Sequence, residues 1–332
     1  MSRRLSTALL CLALAPLAAG CGDDEEKRDG GGEPFELLLD FTPNADHAGI
    51  YAAQAGGHFR DEGLDVRIRT PPSPSAPIEQ TASGRVDLAI SYEPEVLIAR
   101  SKGRRVISVG AVAQRPLTSI QALPGSGVTK PADLAGKRVG TAGIEYQSAF
   151  LKAILNDTGA EPEKVVDVQF GLNPALLSRK VDATFGSFYN YEGVELEMKG
   201  RDPVVIPADR AGIPTYDELV LVTSEEKLAE RRDRIRRFIA ALERGTRDLE
   251  RDPAAAIDAL LRADRSLDRK LQEESVKVSL RDRIFQAPPR RPYGWQEPSD
   301  REAFAKFMNR EDLVKSPEAK GSFTNELLPG AP

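Results

Sequence analysis

The chain has 332 residues, of which 40% are hydrophobic and 29% charged, and its formal net charge is -5. This composition is typical of a globular protein long enough for two domains, and the interspersed charges exclude the basic stripe of a nucleic-acid-binding protein. Both cysteines lie in the first 21 residues, so the rest of the sequence offers no disulfide, thiol nucleophile or cysteine-based metal site.

The first 21 residues have the features of a lipoprotein export signal. Arg3 and Arg4 precede an apolar run that is too short and too interrupted by proline for a membrane-spanning helix. The run ends in LAAGC, which resembles a lipobox, so we expect Cys21 to carry a lipid; a plain secretory signal is the alternative. Residues 22–34 are acidic and glycine-rich, which predicts a flexible tether that holds the folded body at the outer face of the cell membrane.

Strand-like and helix-like patterns alternate from residue 35 onward. Apolar strands are predicted at 35–39, 64–69, 86–90 and 105–113, with helices at 47–57, 78–83 and 96–102. This alternation is typical of βαβ units, in which helices cover a mostly parallel sheet. The turn cluster PGSG at 124–127 then predicts a crossing into a second lobe.

A second series of strands and helices follows that crossing. A strand is predicted near 138–140, others at 165–169, 181–186 and 204–207, and a strand at 218–223 returns to the first lobe, after which the chain is largely helical. The predicted domains are therefore lobe 1, residues 35–120 plus 222–332, and lobe 2, residues 121–221. The arginine-rich run at 231–237 is interpreted as a solvated helix face rather than a binding patch.

Five segments carry recognisable motifs: LDFTPNADHAGIY at 39–51, GHFRDEGLDV at 57–66, SGRVDLAISY at 83–92, PADLAGKRVG at 131–140 and FYNYEGVE at 188–195. Together they resemble the periplasmic-binding-protein-like family that includes thiamine-pyrimidine-precursor-binding proteins and the fungal pyrimidine synthases. The resemblance covers about residues 35–310, and the family usually has tryptophan where Phe41 stands. It implies an α/β fold of two lobes, with mixed, mostly parallel sheets flanked by helices, and a ligand bound between the lobes beside two crossings.

The residue types in the predicted cleft loops favour a flat ligand that carries an amine. Aromatic side chains supply walls for such a ring, and carboxylates accept hydrogen bonds from the amine. Structural alternatives are a core position for Phe41, a helix-start position for His47, a solvated carboxylate for Glu192 and a helix cap for Asp46. The candidate ligand-binding residues are Phe41, Asn44, His47, Tyr92, Gln114, Glu145, Tyr189, Tyr191 and Glu192.

The resemblance implies a monomeric solute-binding protein that captures hydroxymethylpyrimidine or formylaminopyrimidine for the permease of an ABC uptake transporter. An alternative with the same fold is a binding protein for a sulfonate, nitrate or other small solute, although the motif loops offer carboxylates rather than cations. A second alternative is a synthase that uses pyridoxal phosphate and iron, which the export signal and the lack of cysteine after Cys21 disfavour. The sequence therefore predicts no catalytic residue, cofactor or metal site.

Overall fold

The computed structural model describes residues 32–156, 159–315 and 321–330. The predicted export signal, Cys21 and nearly all of the predicted tether lie outside the described residues. The strands are β1 (Glu33–Leu38), β2 (Leu64–Arg69), β3 (Leu88–Ser91), β4 (Val106–Ala113), β5 (Thr118–Ala122), β6 (Arg138–Thr141), β7 (Lys164–Asp167), β8 (Ala183–Phe188), β9 (Val204–Pro207) and β10 (Leu219–Ser224). The helices are α1 (Ala48–Ala55), α2 (His58–Asp61), α3 (Ala76–Ala82), α4 (Glu93–Ser101), α5 (Glu145–Asn156), α6 (Leu172–Leu177), α7 (Val194–Met198), α8 (Glu225–Arg251), α9 (Pro253–Ala263), α10 (Arg269–Arg281) and α11 (Pro298–Arg310).

The strands form two five-stranded sheets. The first has the order β2-β1-β3-β10-β4 and the second the order β7-β6-β8-β5-β9. In the first sheet, β3, β4 and β10 are buried at every residue, as expected of apolar strands that are covered on both faces. Helices therefore flank both sheets, and the carboxyl ends of β1, β3, β6 and β8 are free to lead into loops.

Each sheet is mixed, with a larger antiparallel share than the sequence predicted. β1 is parallel to β2 and β3, and β6 is parallel to β7 and β8. In contrast, β10 is antiparallel to β3 and β4, and β5 is antiparallel to β8 and β9. The antiparallel strands are the two that follow a passage from one sheet to the other, because each of them enters its new sheet from the opposite end.

The chain crosses between the sheets twice, at 114–117 and at 208–218. The turn cluster at 124–127 follows β5, so the first crossing comes earlier than the sequence predicted. The strand β5 (sequence TSIQA) is buried at every position although three of its residues are polar, and so it has no apolar run to mark it. The predicted return strand at 218–223 corresponds to β10, in the first sheet.

The long helix α8 packs its apolar stripe on the first sheet. Phe238 lies between Phe35 and Phe59, with ring centroids 5.1 and 5.0 Å away. On its other face, Arg231 donates to Asp87 at 2.7 Å and Arg237 donates to the carbonyl of Glu62 at 2.5 Å. The arginine-rich run is thus used within the chain to hold α8 against the edge of the first sheet, which goes beyond the solvated face predicted for it.

Candidate functional site

A narrow slot lies where the loops after β1, β3, β6 and β8 approach one another. Its volume is about 30 Å³, which is room for roughly two water molecules. In α/β sheets, ligands bind outside the carboxyl ends of the strands, which is where this slot lies. The slot is lined by Asp40, Phe41, Asn44, Pro74, Tyr92, Ala142, Ile144, Tyr146, Gln147, Leu172, Gly186, Phe188, Tyr191 and Glu192.

One wall of the slot is built on the buried carboxylate of Asp40. Its Oδ1 lies 2.9 Å from His47 Nε2, and its Oδ2 accepts a hydrogen bond from the Tyr92 hydroxyl at 2.9 Å. The backbone N–H of Asn44 donates to His47 Nδ1 at 3.2 Å, which places the imidazole proton on Nε2, facing Asp40. His47 is 1% exposed and does not line the slot, so it orients Asp40, whereas the sequence predicted that it touches the ligand.

The turn at 45–47 explains why this wall is rigid. Asn44 caps it, because its side-chain oxygen accepts from the backbone N–H of Asp46 at 2.8 Å. The residue expected to cap the following helix was Asp46, but its carboxylate instead reaches across to Asn190. Asn44 therefore both lines the slot and fixes the start of the segment that carries His47.

Tyr92 supplies a hydroxyl that remains protonated. Burial raises the pKa of Tyr92 well above its ordinary value, and the neighbouring Asp40 carboxylate raises it further. The hydroxyl is therefore a permanent donor to Asp40. The Tyr92 ring lies 5.8 Å from that of Tyr146, which also lines the slot and comes from the start of α5.

The opposite wall of the slot carries Glu192, in the turn at 189–193 that follows β8. Burial raises the pKa of Glu192 to about 8, and the Phe188 backbone N–H, which donates to it at 2.8 Å, partly offsets that effect. Next to it, Gln147 accepts from the Ala142 N–H at 2.8 Å and lies directly over Gly186. A Cβ atom at Gly186 would come within 2.4 Å of Gln147 Nε2, so only glycine leaves room for this amide in the slot.

An aromatic pair that the sequence did not predict joins loops of the two sheets beside the slot. Phe41, after β1, meets Phe170, after β7, in an edge-to-face contact with centroids 4.8 Å apart. Gln169 has a positive φ of 51°, and Asp167 holds it there by accepting from its backbone N–H at 2.9 Å and from its side-chain amide at 2.6 Å. Phe170 stands alone in a polar loop, and the sequence does not indicate that it contacts Phe41, which is far from it along the chain.

Five of the nine predicted ligand-binding residues line the slot and four do not. Phe41, Asn44, Tyr92, Tyr191 and Glu192 line it, and His47 lies behind it. The other three, Gln114, Glu145 and Tyr189, lie elsewhere in the structure, so their contact with a ligand stays a prediction. The sequence analysis did not identify Tyr146 and Gln147, which line the slot, or Phe170, which contacts Phe41 beside it.

The three predicted residues that lie outside the slot have identifiable local partners. Gln114 lies in the first crossing, where it donates to the carbonyl of Trp295 at 2.7 Å. The Trp295 side chain packs against the hydrophobic core. Glu145 is exposed and pairs with Lys102. Tyr189 lines a separate cavity of about 340 Å³ together with Arg115 and Arg281. The backbone conformation of each loop decides which of its side chains face the slot, and residue types alone do not reveal that conformation.

The slot combines aromatic walls with carboxylates. Asp40 and Glu192 are its acidic residues, and none of the described residues that line it is lysine or arginine. Nor do the described residues contain a group of three or more histidine, cysteine or acidic side chains placed to hold a metal ion. In the described part of the chain, no helix has the length and apolar character needed to cross a membrane.

Comparisons with known proteins point to one family. Residues 44–256 match the family model described as NMT1/THI5 like. The formylaminopyrimidine-binding protein of Halalkalibacterium halodurans is 34% identical over 319 residues, which are 94% of this chain and 94% of that protein. A 4-amino-5-hydroxymethyl-2-methylpyrimidine phosphate synthase of Saccharomyces cerevisiae is 30% identical over 237 residues, 68% of this chain and 69% of that protein.

Solved structures identify the fold. The alkanesulfonate-binding protein SsuA of Xanthomonas axonopodis pv. citri is 16% identical and has a TM-score of 0.69, covering 88% of this chain and 98% of its own. At that identity the likeness concerns the fold alone. The chain therefore has the periplasmic-binding-protein-like α/β fold that the sequence motifs implied.

Proposed function

Because the chain belongs to the NMT1/THI5-like family, we propose that it is an extracytoplasmic solute-binding protein that delivers a thiamine pyrimidine precursor to an ABC uptake transporter. The ligand is of the hydroxymethylpyrimidine or formylaminopyrimidine type. Similarity to a formylaminopyrimidine-binding protein over 94% of both chains supports this choice. The permease of the transporter is the expected partner, and the binding protein acts as a monomer.

The observation that carries the proposal is the pairing of aromatic walls with a buried carboxylate in one slot. Phe41 and Tyr191 offer ring faces for a flat heterocycle, and Glu192 offers an acceptor for its exocyclic amine. Charge-assisted hydrogen bonds of this kind are roughly twice as strong as neutral ones. An aminopyrimidine therefore matches the slot both in shape and in hydrogen-bonding groups.

The size of the slot indicates that its walls must separate to admit a ligand. Its volume of about 30 Å³ is far below the roughly 300 Å³ at the lower end of ordinary ligand pockets. The walls come from loops of two different sheets, and the Phe41–Phe170 contact joins them. We therefore expect the two sheets to move apart as lobes about the crossings, and to close again on the bound ring.

The export signal completes the proposal. LAAGC at 17–21 directs a lipid to Cys21, and the acidic tether at 22–34 then holds the body beside the outer face of the membrane. The variant Cys21→Ala is expected to move the chain from the membrane fraction to the soluble fraction. Retention of that variant in the membrane would contradict lipid anchoring while leaving ligand binding untouched.

The two alternatives fit the slot less well. A sulfonate or nitrate needs cationic side chains or a free helix N-terminus, and the slot lining presents Asp40 and Glu192 instead. A synthase is represented among the relatives, but the sequence after Cys21 has no cysteine, and the export signal removes the chain from cytosolic cofactors. A binding role without chemistry is therefore the function we propose.

Titration calorimetry of the purified chain tests the ligand class directly. Formylaminopyrimidine and hydroxymethylpyrimidine are compared with thiamine, taurine and nitrate under one set of conditions. We expect saturable one-to-one binding of at least one aminopyrimidine and none of taurine or nitrate. Binding of an anion in preference to the pyrimidines would overturn the proposal.

A further inference from the structure

Asn190 ties the two sides of the molecule together at a point outside the slot. Its side-chain amide donates to Asp46 Oδ1 at 2.6 Å and to Ser279 Oγ at 3.0 Å. All three residues are buried, and none of them lines the slot. This cluster is therefore distinct from the groups assigned above to the ligand.

The three residues come from both sides of the fold. Asp46 lies in the turn after β1 of the first sheet, and Asn190 lies in the turn after β8 of the second sheet. Ser279 belongs to α10, which packs on α9 and the turn at 45–47 of the first side, and also on the turn at 189–193 and α7 of the second side. The chain reaches α10 from the first sheet through α8 and α9, which both pack on α1, so we assign α10 to the first side. Asn190 thus reaches from the second side to two hydrogen-bonding partners, Asp46 and Ser279, of the first side.

The face of α10 that receives Asn190 is polar. Gln272, Ser275 and Ser279 recur at helical spacing on this face, and all three are buried. Gln272 also donates to the Tyr191 hydroxyl at 3.3 Å, next to Asn190 in the chain. The buried face of a helix is usually apolar. Here it is polar, and its side chains form hydrogen bonds with the turn that follows β8 of the second sheet.

The cluster is incompletely satisfied, which keeps it reversible. Asp46 Oδ2 and Asn190 Oδ1 are buried without a hydrogen-bond partner in the described structure, as are Gln272 Oε1 and Ser275 Oγ. Burial raises the pKa of Asp46 to about 6, because the charged form loses hydration in this conformation. Opening would return water to these groups, so the bonds that favour closure are opposed by a desolvation cost.

We propose that Asp46, Asn190 and Ser279 form an interlobe latch that sets how fast the closed protein releases its ligand. The inference rests on the proposed function, since it assumes that a ligand is held between closing lobes. The ligand enters the open form, in which the latch is not made, so association depends on the latch only through the fraction of ligand-free protein that is open. Release requires opening, which breaks both bonds of Asn190, so the latch controls dissociation.

Release kinetics of the aminopyrimidine found by calorimetry provide the first test. Trp295 is the single tryptophan of the chain and packs beside Gln114 at the first crossing, so its fluorescence is a suitable stopped-flow signal. We expect Asn190→Ala to increase the dissociation rate at least tenfold and to raise the association rate by no more than the open fraction of the ligand-free protein increases. Asn309→Ala, which removes a bond from Asn309 on α11 to the Val314 carbonyl beyond that helix, is the matched control and leaves both rates unchanged.

A charge swap separates a latch from mere structural support. Asn190→Asp places two carboxylates against each other and should increase release more than Asn190→Ala does. The double variant Asp46→Asn, Asn190→Asp restores one amide and one carboxylate, so it should return the dissociation rate to within about threefold of the original. A double variant that releases ligand as fast as Asn190→Asp alone would refute the latch.

A distance measurement tests the latch without any ligand. After Cys11→Ala and Cys21→Ala, spin labels at Arg67→Cys on β2 and Val165→Cys on β7 report the separation of the two sheets, since the sequence contains no other cysteine. We expect Asn190→Ala to shift the distance distribution toward open forms in the ligand-free protein. An unchanged distribution and release rate would refute the latch while the binding function stands, and a chain that binds no aminopyrimidine but still opens on Asn190→Ala would refute only the function.

Discussion

Glu218 at the crossings and Glu192 at the slot are both buried carboxylates, yet their surroundings differ. Glu218 accepts from the backbone N–H groups of Leu117 and Thr118 at 2.7 and 2.8 Å, from the Thr118 hydroxyl at 3.0 Å and from the Tyr216 hydroxyl at 2.9 Å. It thereby joins the first crossing to the end of the second. Glu192 accepts from the backbone N–H of Phe188 and from its own backbone N–H, and its carboxyl lines the slot.

The same contrast holds for the charges around each region. Beside the crossings, the buried Arg301 donates to Asp217 at 3.1 Å and lies 4.0 Å from Glu93, so acidic groups there have a cation. Among the described residues that line the slot there is no cation. Glu218 is held by four donors of the two crossings and so joins them, whereas Glu192 has, among the described residues, backbone donors alone and lines the slot, where it can also accept from a ligand.

The largest effect is expected on stability, from Glu218→Ala. The variant leaves four donors at the crossings buried without their acceptor, and each such group costs about 1–3 kcal/mol. We expect the free energy of unfolding in urea to fall by at least about 3 kcal/mol. Glu218→Gln keeps a side-chain oxygen for part of these bonds and should lose less, while a loss below about 1 kcal/mol for the alanine variant would contradict the role assigned to Glu218.

Glu192→Gln should give the opposite pattern, a large change in affinity with little change in stability. The glutamine amide lacks the negative charge with which the carboxylate strengthens a hydrogen bond from an amine. Aminopyrimidine affinity should therefore fall by roughly 10- to 100-fold, or about 1.5–3 kcal/mol. Calorimetry and urea unfolding measure the two effects separately. Glu145→Gln is the matched control, because Glu145 is exposed and outside the slot, and equal losses in both variants would contradict the assignment.

The pH dependence of affinity follows from the raised pKa of Glu192. With its pKa at about 8, the unliganded protein holds a proton on this carboxyl at lower pH, and an amine donor must displace that proton. Affinity for a ligand that does not itself titrate in this range should therefore rise from pH 6 to pH 8, by up to about tenfold per pH unit, and level off above. Its contribution to folding stability has the opposite sign, being present at low pH and lost as pH rises through about 8.

Other buried carboxyls titrate in the same range, so the comparison with Glu192→Gln is essential. Burial raises the pKa of Glu93 and Glu218 to about 7 and that of Glu95 to about 8. These groups lie outside the slot lining, and they are present both in the original protein and in Glu192→Gln. Calorimetry across pH should show a weaker dependence in the variant, and identical profiles would assign the effect to another group.

The sequence predicted the fold well because its strands are marked by apolar runs. β1, β3, β4 and β10 combine such runs with turns at their ends, and the motif loops follow them directly. β5 was not predicted as a strand, since Thr118, Ser119 and Gln121 are buried through hydrogen bonds that depend on the other strands and on Glu218. Its position explains why the first crossing was placed too late.

The slot was predicted less completely than the fold. The loops were identified, but not the side chains within them that face the ligand. Tyr189 and Tyr191 lie in a turn that is neither a strand nor an α-helix, so no simple period tells which of the two faces inward. Gln147 was missed because its place depends on the absent side chain of Gly186, which the sequence alone does not connect with it.

The smallest effect is expected from Tyr92→Phe, a change in the wall of the slot itself. The variant removes the hydroxyl that donates to Asp40 Oδ2 but keeps the ring, and His47 still holds Asp40 Oδ1. One hydrogen bond of this kind contributes about 1 kcal/mol, so aminopyrimidine affinity should fall by roughly fivefold. Tyr189→Phe is the matched control, since that hydroxyl belongs to the separate cavity beside Arg115 and its loss should leave affinity unchanged. If calorimetry instead finds the larger loss for Tyr189→Phe, then the ligand occupies the cavity beside the crossings, and the carboxylate wall of Asp40 has no part in binding.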